Sequence, residues 1–127
     1  MATGDCPTDK LNFQMPTTED TLPNIPDSYF DVLVSVATIE HVLNPYTVLD
    51  ELHRVAKPTG KLICSVPNYA YLKHRIHLLL GMQPRTGTDA PVANWRTEGW
   101  DGMHLHTFTK SSFTTLLKDC GWAPTRW

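Results

Sequence analysis

No stretch of this 127-residue sequence approaches the roughly 20 consecutive apolar residues that a membrane-spanning helix needs. The start, MATGDCPTDK, has neither the basic flank nor the apolar centre of a secretory signal. A cytoplasmic location without a membrane partner is therefore expected. Cysteine is scarce: Cys6, Cys64 and Cys120 are odd in number, far apart and without CxxC spacing, which excludes a disulfide framework and leaves reduced thiols. Cys64 falls in an apolar strand pattern and Cys120 on an apolar helix face, so packing is their expected role. Positive charge is also short, with 11 Lys and Arg against 13 Asp and Glu, a net charge of -2, and no basic cluster beyond KHRIH at residues 73 to 77. That balance gives a polyanion little to hold, and no nucleic-acid partner is expected.

What is present suits one soluble globular domain: 41% hydrophobic and 19% charged residues on a chain long enough to bury a real core. Residues 1 to 30 carry Pro7, Pro16, Pro23 and Pro26 among polar neighbours, which limits them to short elements such as a strand at 11 to 15. From Asp31 the run DVLVSV is β-branched and apolar, with Val32, Val34 and Val36 on one face and Leu33 and Ser35 on the other. It predicts an interior parallel strand covered on both sides.

Asn44 then offers a cap and Pro45 a first helical position, after which Val48, Leu49, Leu52, Val55 and Ala56 recur at helical spacing until Pro58-Thr59-Gly60. The spacing predicts a helix over 45 to 57, with Asp50 and Arg54 paired on its outer side. KLICSV, residues 61 to 66, reads as a second strand, and strand, helix, strand in this length is the crossover unit of a parallel sheet. The expected fold is α/β, one domain with a parallel sheet and flanking helices. A helix over 71 to 80 would put Leu72, Ile76, Leu79 and Leu80 on one face and end at Gly81. Residues 82 to 103 form a long loop in which Trp95 and Trp100 either anchor to the core or line a pocket. A last helix starts from Thr109 and turns Phe113, Leu116, Leu117 and Cys120 inward before Gly121.

Ligands of an open parallel sheet gather beyond the carboxyl ends of its strands. The first strand leaves there through ATIEHVLNP and the second through Pro67-Asn68-Tyr69, so Glu40, His41 and Asn68 are expected to converge. The Glu40 carboxylate would most simply accept backbone amides near the helix start. His41 could act as a general base, since imidazole titrates near neutral pH, or could equally pack or cap. His104 and His106 sit two apart, the spacing of one strand face, yet no third ligand stands at a recognisable distance in sequence, so no metal site is expected.

The ordered set PDSYFDVLVSVATIEHVLNPYTVLDELHRVAKPTGKLICSVPN followed by HLHTFTKSSFTTLLKDCGW resembles the central and later part of class I S-adenosylmethionine-dependent methyltransferases of the small-molecule type. The resemblance covers about residues 11 to 122 and implies a partial Rossmann-like parallel sheet with flanking helices, residues 1 to 127 being a single partial domain. It implies S-adenosylmethionine as cofactor, a small-molecule acceptor, and a cofactor surface at Thr18, Glu19, Val36, Ala37, Thr38 and His41. It further implies His41, then His104 or His106, as the base for an acceptor that must lose a proton. None of the seven glycines forms the GxG turn on which this family cradles the cofactor, and Thr59 stands where a glycine is usual. Methyl transfer within a larger domain is the expectation; a half domain acting as a protein-interaction module is the alternative. An unpaired edge beside DVLVSV then predicts a homodimer or a partner that completes the sheet.

Overall fold

The structure is a computed structural model that describes residues 25–87, 96 and 100–127. The strand expected at 11 to 15, Thr18, Glu19 and Trp95 lie outside the described residues, as does the side chain of Trp100. In chain order the elements are strand β1 (Phe30–Val36), helix α1 (Pro45–Val55), strand β2 (Ala56–Ser65), helix α2 (Leu72–Leu79), a 3-10 turn (Trp100–Met103) and helix α3 (Lys110–Asp119). The two strands pair in parallel, Val32 with Lys61 through Val36 with Ser65. The α/β architecture with its parallel crossover is thus as the sequence predicts.

Local chemistry sets the boundaries. Asn44, in extended conformation, accepts the backbone N–H groups of Tyr46 (3.0 Å) and Thr47 (3.4 Å) ahead of Pro45 and starts α1. The helix stops at Val55, two residues earlier than its apolar spacing suggests. Pro58 disfavours helical backbone at Lys57, and Ala56 is already extended. Residues 57 to 60 then loop out of the ladder, which jumps from Phe30–Ala56 to Val32–Lys61. Thr59 is not among the residues with left-handed backbone, so it carries no penalty there. Thr109 and Ser112 form a reciprocal capping box at the start of α3. At its other end, Gly121 (φ 81°) donates to Lys118 O and Trp122 N–H donates to Leu117 O at 2.9 Å, closing the helix in a Schellman turn.

One core forms on one side of the sheet. Val48, Leu49 and Leu52 of α1 meet Phe113, Leu116 and Leu117 of α3, with Leu33, Leu62 and Cys64 of the strands packed beneath. Trp122 donates its indole N–H to Leu49 O at 3.2 Å and ties the chain end to α1. Coverage on both faces, expected for β1, is not found. Val32, Val34 and Val36 stand exposed, Val34 at 66%, and Ile63 of β2 shares that bare face. The apolar side expected for α2 is likewise uncovered: no residue of that helix is buried and Leu79 is 86% exposed. Both large helices serve the Leu33 face, and among the described residues no element buries the valine face.

The ion pair on α1 also differs from expectation. Arg54 reaches Glu51 through two hydrogen bonds (2.8 and 2.6 Å) and Asp27 and Ile25 O with its other nitrogen, rather than Asp50. Residues three apart serve as well as four on a helix face, and Asp27 links the approach to β1 to the helix.

Candidate active site

Beyond the carboxyl end of β1 the chain makes a tight turn in which His41 N–H donates to Thr38 O at 3.0 Å. Ile39 and Val42 drop into the core and pull the residues between them inward. Glu40 is consequently 0% exposed, and neither carboxylate oxygen has a hydrogen-bond partner. The expected backbone-amide role is therefore absent; Asn44, not Glu40, caps α1. A buried carboxylate without donors is costly, so its retention calls for a reason beyond packing.

The segment leading to α3 closes the site. Leu105 and His106 donate their backbone N–H groups to Glu40 O (2.8 and 3.1 Å), and Tyr69 N–H donates to Phe108 O at 2.7 Å. Residues 105 to 108 thereby stitch together the exits of β1 and β2. This places His104 against the turn, with Nε2 3.9 Å from Glu40 Oε1 and its ring 4.6 Å from that of His41 in an edge-to-face pose. The His104 side chain is only 7% exposed. Burial first, and His41 second, hold its pKa below the usual histidine value, against the opposing pull of Glu40 and Asp101. It is a neutral imidazole at neutral pH.

Of the sequence-predicted histidines, the structure brings His41 and His104 together with Glu40. His106 donates its Nε2–H to Val42 O at 2.9 Å and stacks toward Phe108, so its ring also fastens the turn to the closing segment. Asn68 lies beside Phe108 of that closing segment, and its side chain accepts Ala70 N–H at 3.0 Å in the turn before α2. Val36 and Ala37 are exposed at the strand exit, Ala37 in left-handed backbone (φ 49°), and Thr38 donates its hydroxyl to Val36 O. Asp101 and Thr86 were not singled out by sequence reasoning. Asp101 is buried with left-handed backbone and accepts both N–H and O–H of Thr86, whose hydroxyl also meets His104 Nδ1. The Asp-Gly dipeptide at 101–102 was the available signal.

Glu40, His41 and His104 each offer one donor atom within 4.8 Å of the others. Among the described residues this mixed oxygen and nitrogen set, rather than His104 with His106, has a composition that could hold a divalent cation. Neither described cysteine offers a nucleophile. Burial pushes Cys64 up to about 11 and Cys120 up to about 12, and both thiols stay protonated.

Residues 5–126 match the methyltransferase domain family. The chain belongs to that family. Two ubiquinone biosynthesis O-methyltransferases are similar in sequence. The mitochondrial enzyme of Dictyostelium discoideum is 34% identical over 58% of this chain and 22% of its own length. That of Maricaulis maris is 44% identical over 31% of this chain and 15% of its own. Among solved structures, a SAM-dependent methyltransferase of Thermotoga maritima matches with TM-score 0.54 and 21% identity, over 77% of this chain and 40% of that one. A chain of the complex between the Haloferax volcanii Trm112 methyltransferase activator and a methyltransferase matches at TM-score 0.53 and 19% identity, over 80% and 36%. These two likenesses place the fold. The chain spans well under half the length of these relatives.

S-adenosylmethionine is the cofactor of this methyltransferase family. At the strand exit Val36 and Ala37 stand exposed, with Val36 O already accepting the Thr38 hydroxyl and Ala37 N–H donating to Ser65 O. The sequence holds no glycine-rich turn to cradle the cofactor. Among the described residues no helix is long and apolar enough to cross a membrane.

Proposed function

We propose that this chain forms the acceptor side of an S-adenosylmethionine-dependent methyltransferase acting on a small molecule. In this reading His104 and His41 accept the proton that the acceptor gives up. The observation that carries it is the fully buried Glu40 carboxylate, without hydrogen-bond partners, beside two imidazoles. A proton arriving on either ring would create an imidazolium next to that carboxylate, which stabilises the charge in a low-dielectric setting. The cofactor, when bound, supplies an electrophilic methyl on a sulfonium. The residues of this chain hold the acceptor in line and take its proton, general-base help of about 10²- to 10⁴-fold. Val36, Ala37 and Thr38, with Thr18 and Glu19, form the proposed cofactor surface, and the similarity to ubiquinone biosynthesis O-methyltransferases supports a hydroxyl as the atom methylated. Either a further segment or a partner supplies the missing glycine-rich cradle.

Calorimetry with S-adenosylhomocysteine tests this. Saturable heat that weakens on altering the strand exit, as in Ala37→Trp, supports the reading. No heat at millimolar ligand, with the fold intact, favours the alternative of a non-catalytic half domain that pairs through its sheet. The exposed valine face is the observation behind that second reading.

A further inference from the structure

We propose that Asp101 and Thr86 are positioning residues that hold His104 in its Nδ1–H form, so that the Nε2 lone pair faces Glu40 and His41. The step follows from counting hydrogens. The Asp101 carboxylate can only accept, and its partners are donors: Thr86 N–H at 2.9 Å and Gly87 N–H at 3.2 Å on Oδ1, and Thr86 Oγ1 at 2.9 Å with Thr86 N–H at 3.2 Å on Oδ2. Thr86 has one hydroxyl hydrogen, and the charged acceptor takes it. Thr86 Oγ1 nevertheless lies 2.8 Å from His104 Nδ1. With its own hydrogen committed, Oγ1 must accept there, so the proton sits on Nδ1. The ring's other nitrogen, 3.9 Å from Glu40 Oε1, is left with a lone pair.

The backbone is shaped to make this relay. Asp101, Gly102 and Met103 are three consecutive left-handed residues, two of them not glycine, a conformation that costs on the order of 1 kcal/mol or more per non-glycine residue. A Cβ on Gly102 would stand 2.6 Å from Gly87 O, so the two segments touch backbone to backbone. The strain places the Asp101 carboxylate under the amides of Thr86 and Gly87. His41 is oriented in parallel fashion: its Nδ1 faces Met103 O at 3.2 Å, and since a carbonyl only accepts, His41 too carries its proton on Nδ1. The Nε2 atoms of both rings are then left with lone pairs, that of His104 3.9 Å from the unpartnered Glu40 carboxylate.

This rests on the acceptor-side reading only for its purpose, not for its geometry. Long-range 1H–15N spectra of the full chain, with His104 assigned by comparison with His104→Gln, read the tautomer directly. The expected result is a protonated Nδ1 and an unprotonated Nε2. In Asp101→Asn the side-chain N–H₂ turns to Thr86, frees the threonine hydroxyl to donate to the ring, and moves the proton to Nε2. Thr86→Ser keeps the Nδ1–H form, and Thr86→Val yields a mixture. An Nε2–H ring in the unaltered chain overturns the proposal, as does an unchanged tautomer in both Asp101→Asn and Thr86→Val with dispersed spectra. Where methyl transfer is measurable, Asp101→Asn lowers it by about 10²-fold or more. The predicted tautomers without any methyl transfer would defeat the acceptor-side reading while leaving this one standing.

Discussion

Glu40 concentrates the conflict between stability and chemistry at the level of single residues. A buried charged group without partners destabilises a fold by about 1 to 3 kcal/mol or more, and Glu40 has neither solvent nor donor. Glu40→Met, close in volume and wholly apolar, is therefore expected to raise the urea midpoint by the equivalent of about 1 to 3 kcal/mol. A lower midpoint would show that the carboxylate contributes favourable interactions to the fold. His104 gives a second prediction through pH. Its folded-state pKa lies below the usual 6.5, so the unfolded chain binds its proton first as pH falls. Stability from this residue is complete above 6.5 and is lost as pH drops through the folded value. Unfolding free energies across that window should fall more steeply in the unaltered protein than in His104→Gln. At Gly121 (φ 81°) an added Cβ would meet the His53 ring at 3.0 Å, and Gly121→Ala should cost about 1 to 2 kcal/mol in chemical denaturation.

At the level of elements, burial divides the helices sharply. Leu49 and Leu116 lie in the core, whereas Leu79 of α2 is open to solvent. Leu116→Ala should cost about 2 to 5 kcal/mol, and Leu79→Lys should stay within about 0.5 kcal/mol, both read from denaturant titrations. The contrast also marks what the sequence could convey. Capping at Asn44 and Thr109, the proline that stops α1, and the glycine after α3 act locally, so residue spacing places these elements within a residue or two. The apolar stripe of α2 is as regular as that of α1 but says nothing about which surface receives it. Likewise Glu40 and His41 could be placed at a strand exit from topology, while their third partner could not. His104 lies 63 positions beyond His41, brought back by backbone hydrogen bonds to Glu40 that no periodicity announces. Thr86 and Asp101 were hidden for the same reason: left-handed backbone and close glycine contact decide where they point.

For the whole molecule, the open issue is what meets the bare side of the sheet. Among the described residues the sheet has two strands, so each carries an unpaired edge, and Val32, Val34, Val36 and Ile63 form a contiguous exposed apolar face. Exposed β surface of this kind is a template for association. In a longer polypeptide or a complex, the same face is where helices of a completed methyltransferase domain would pack, the arrangement of a sheet covered on both sides. For the chain by itself, self-association is the expected outcome, and its driving force can be identified. Apolar burial weakens on cooling and is little affected by moderate salt, whereas charge pairing is screened by it. Sedimentation velocity should therefore show concentration-dependent dimers or larger species that persist in salt and loosen in the cold. The double variant Val34→Lys with Ile63→Lys should sediment as a monomer with an unchanged far-ultraviolet spectrum, because both side chains already point to solvent. A monomer in the unaltered chain at all concentrations would show that this face does not drive association, and dimers dissolved by salt would assign association to charged surface instead.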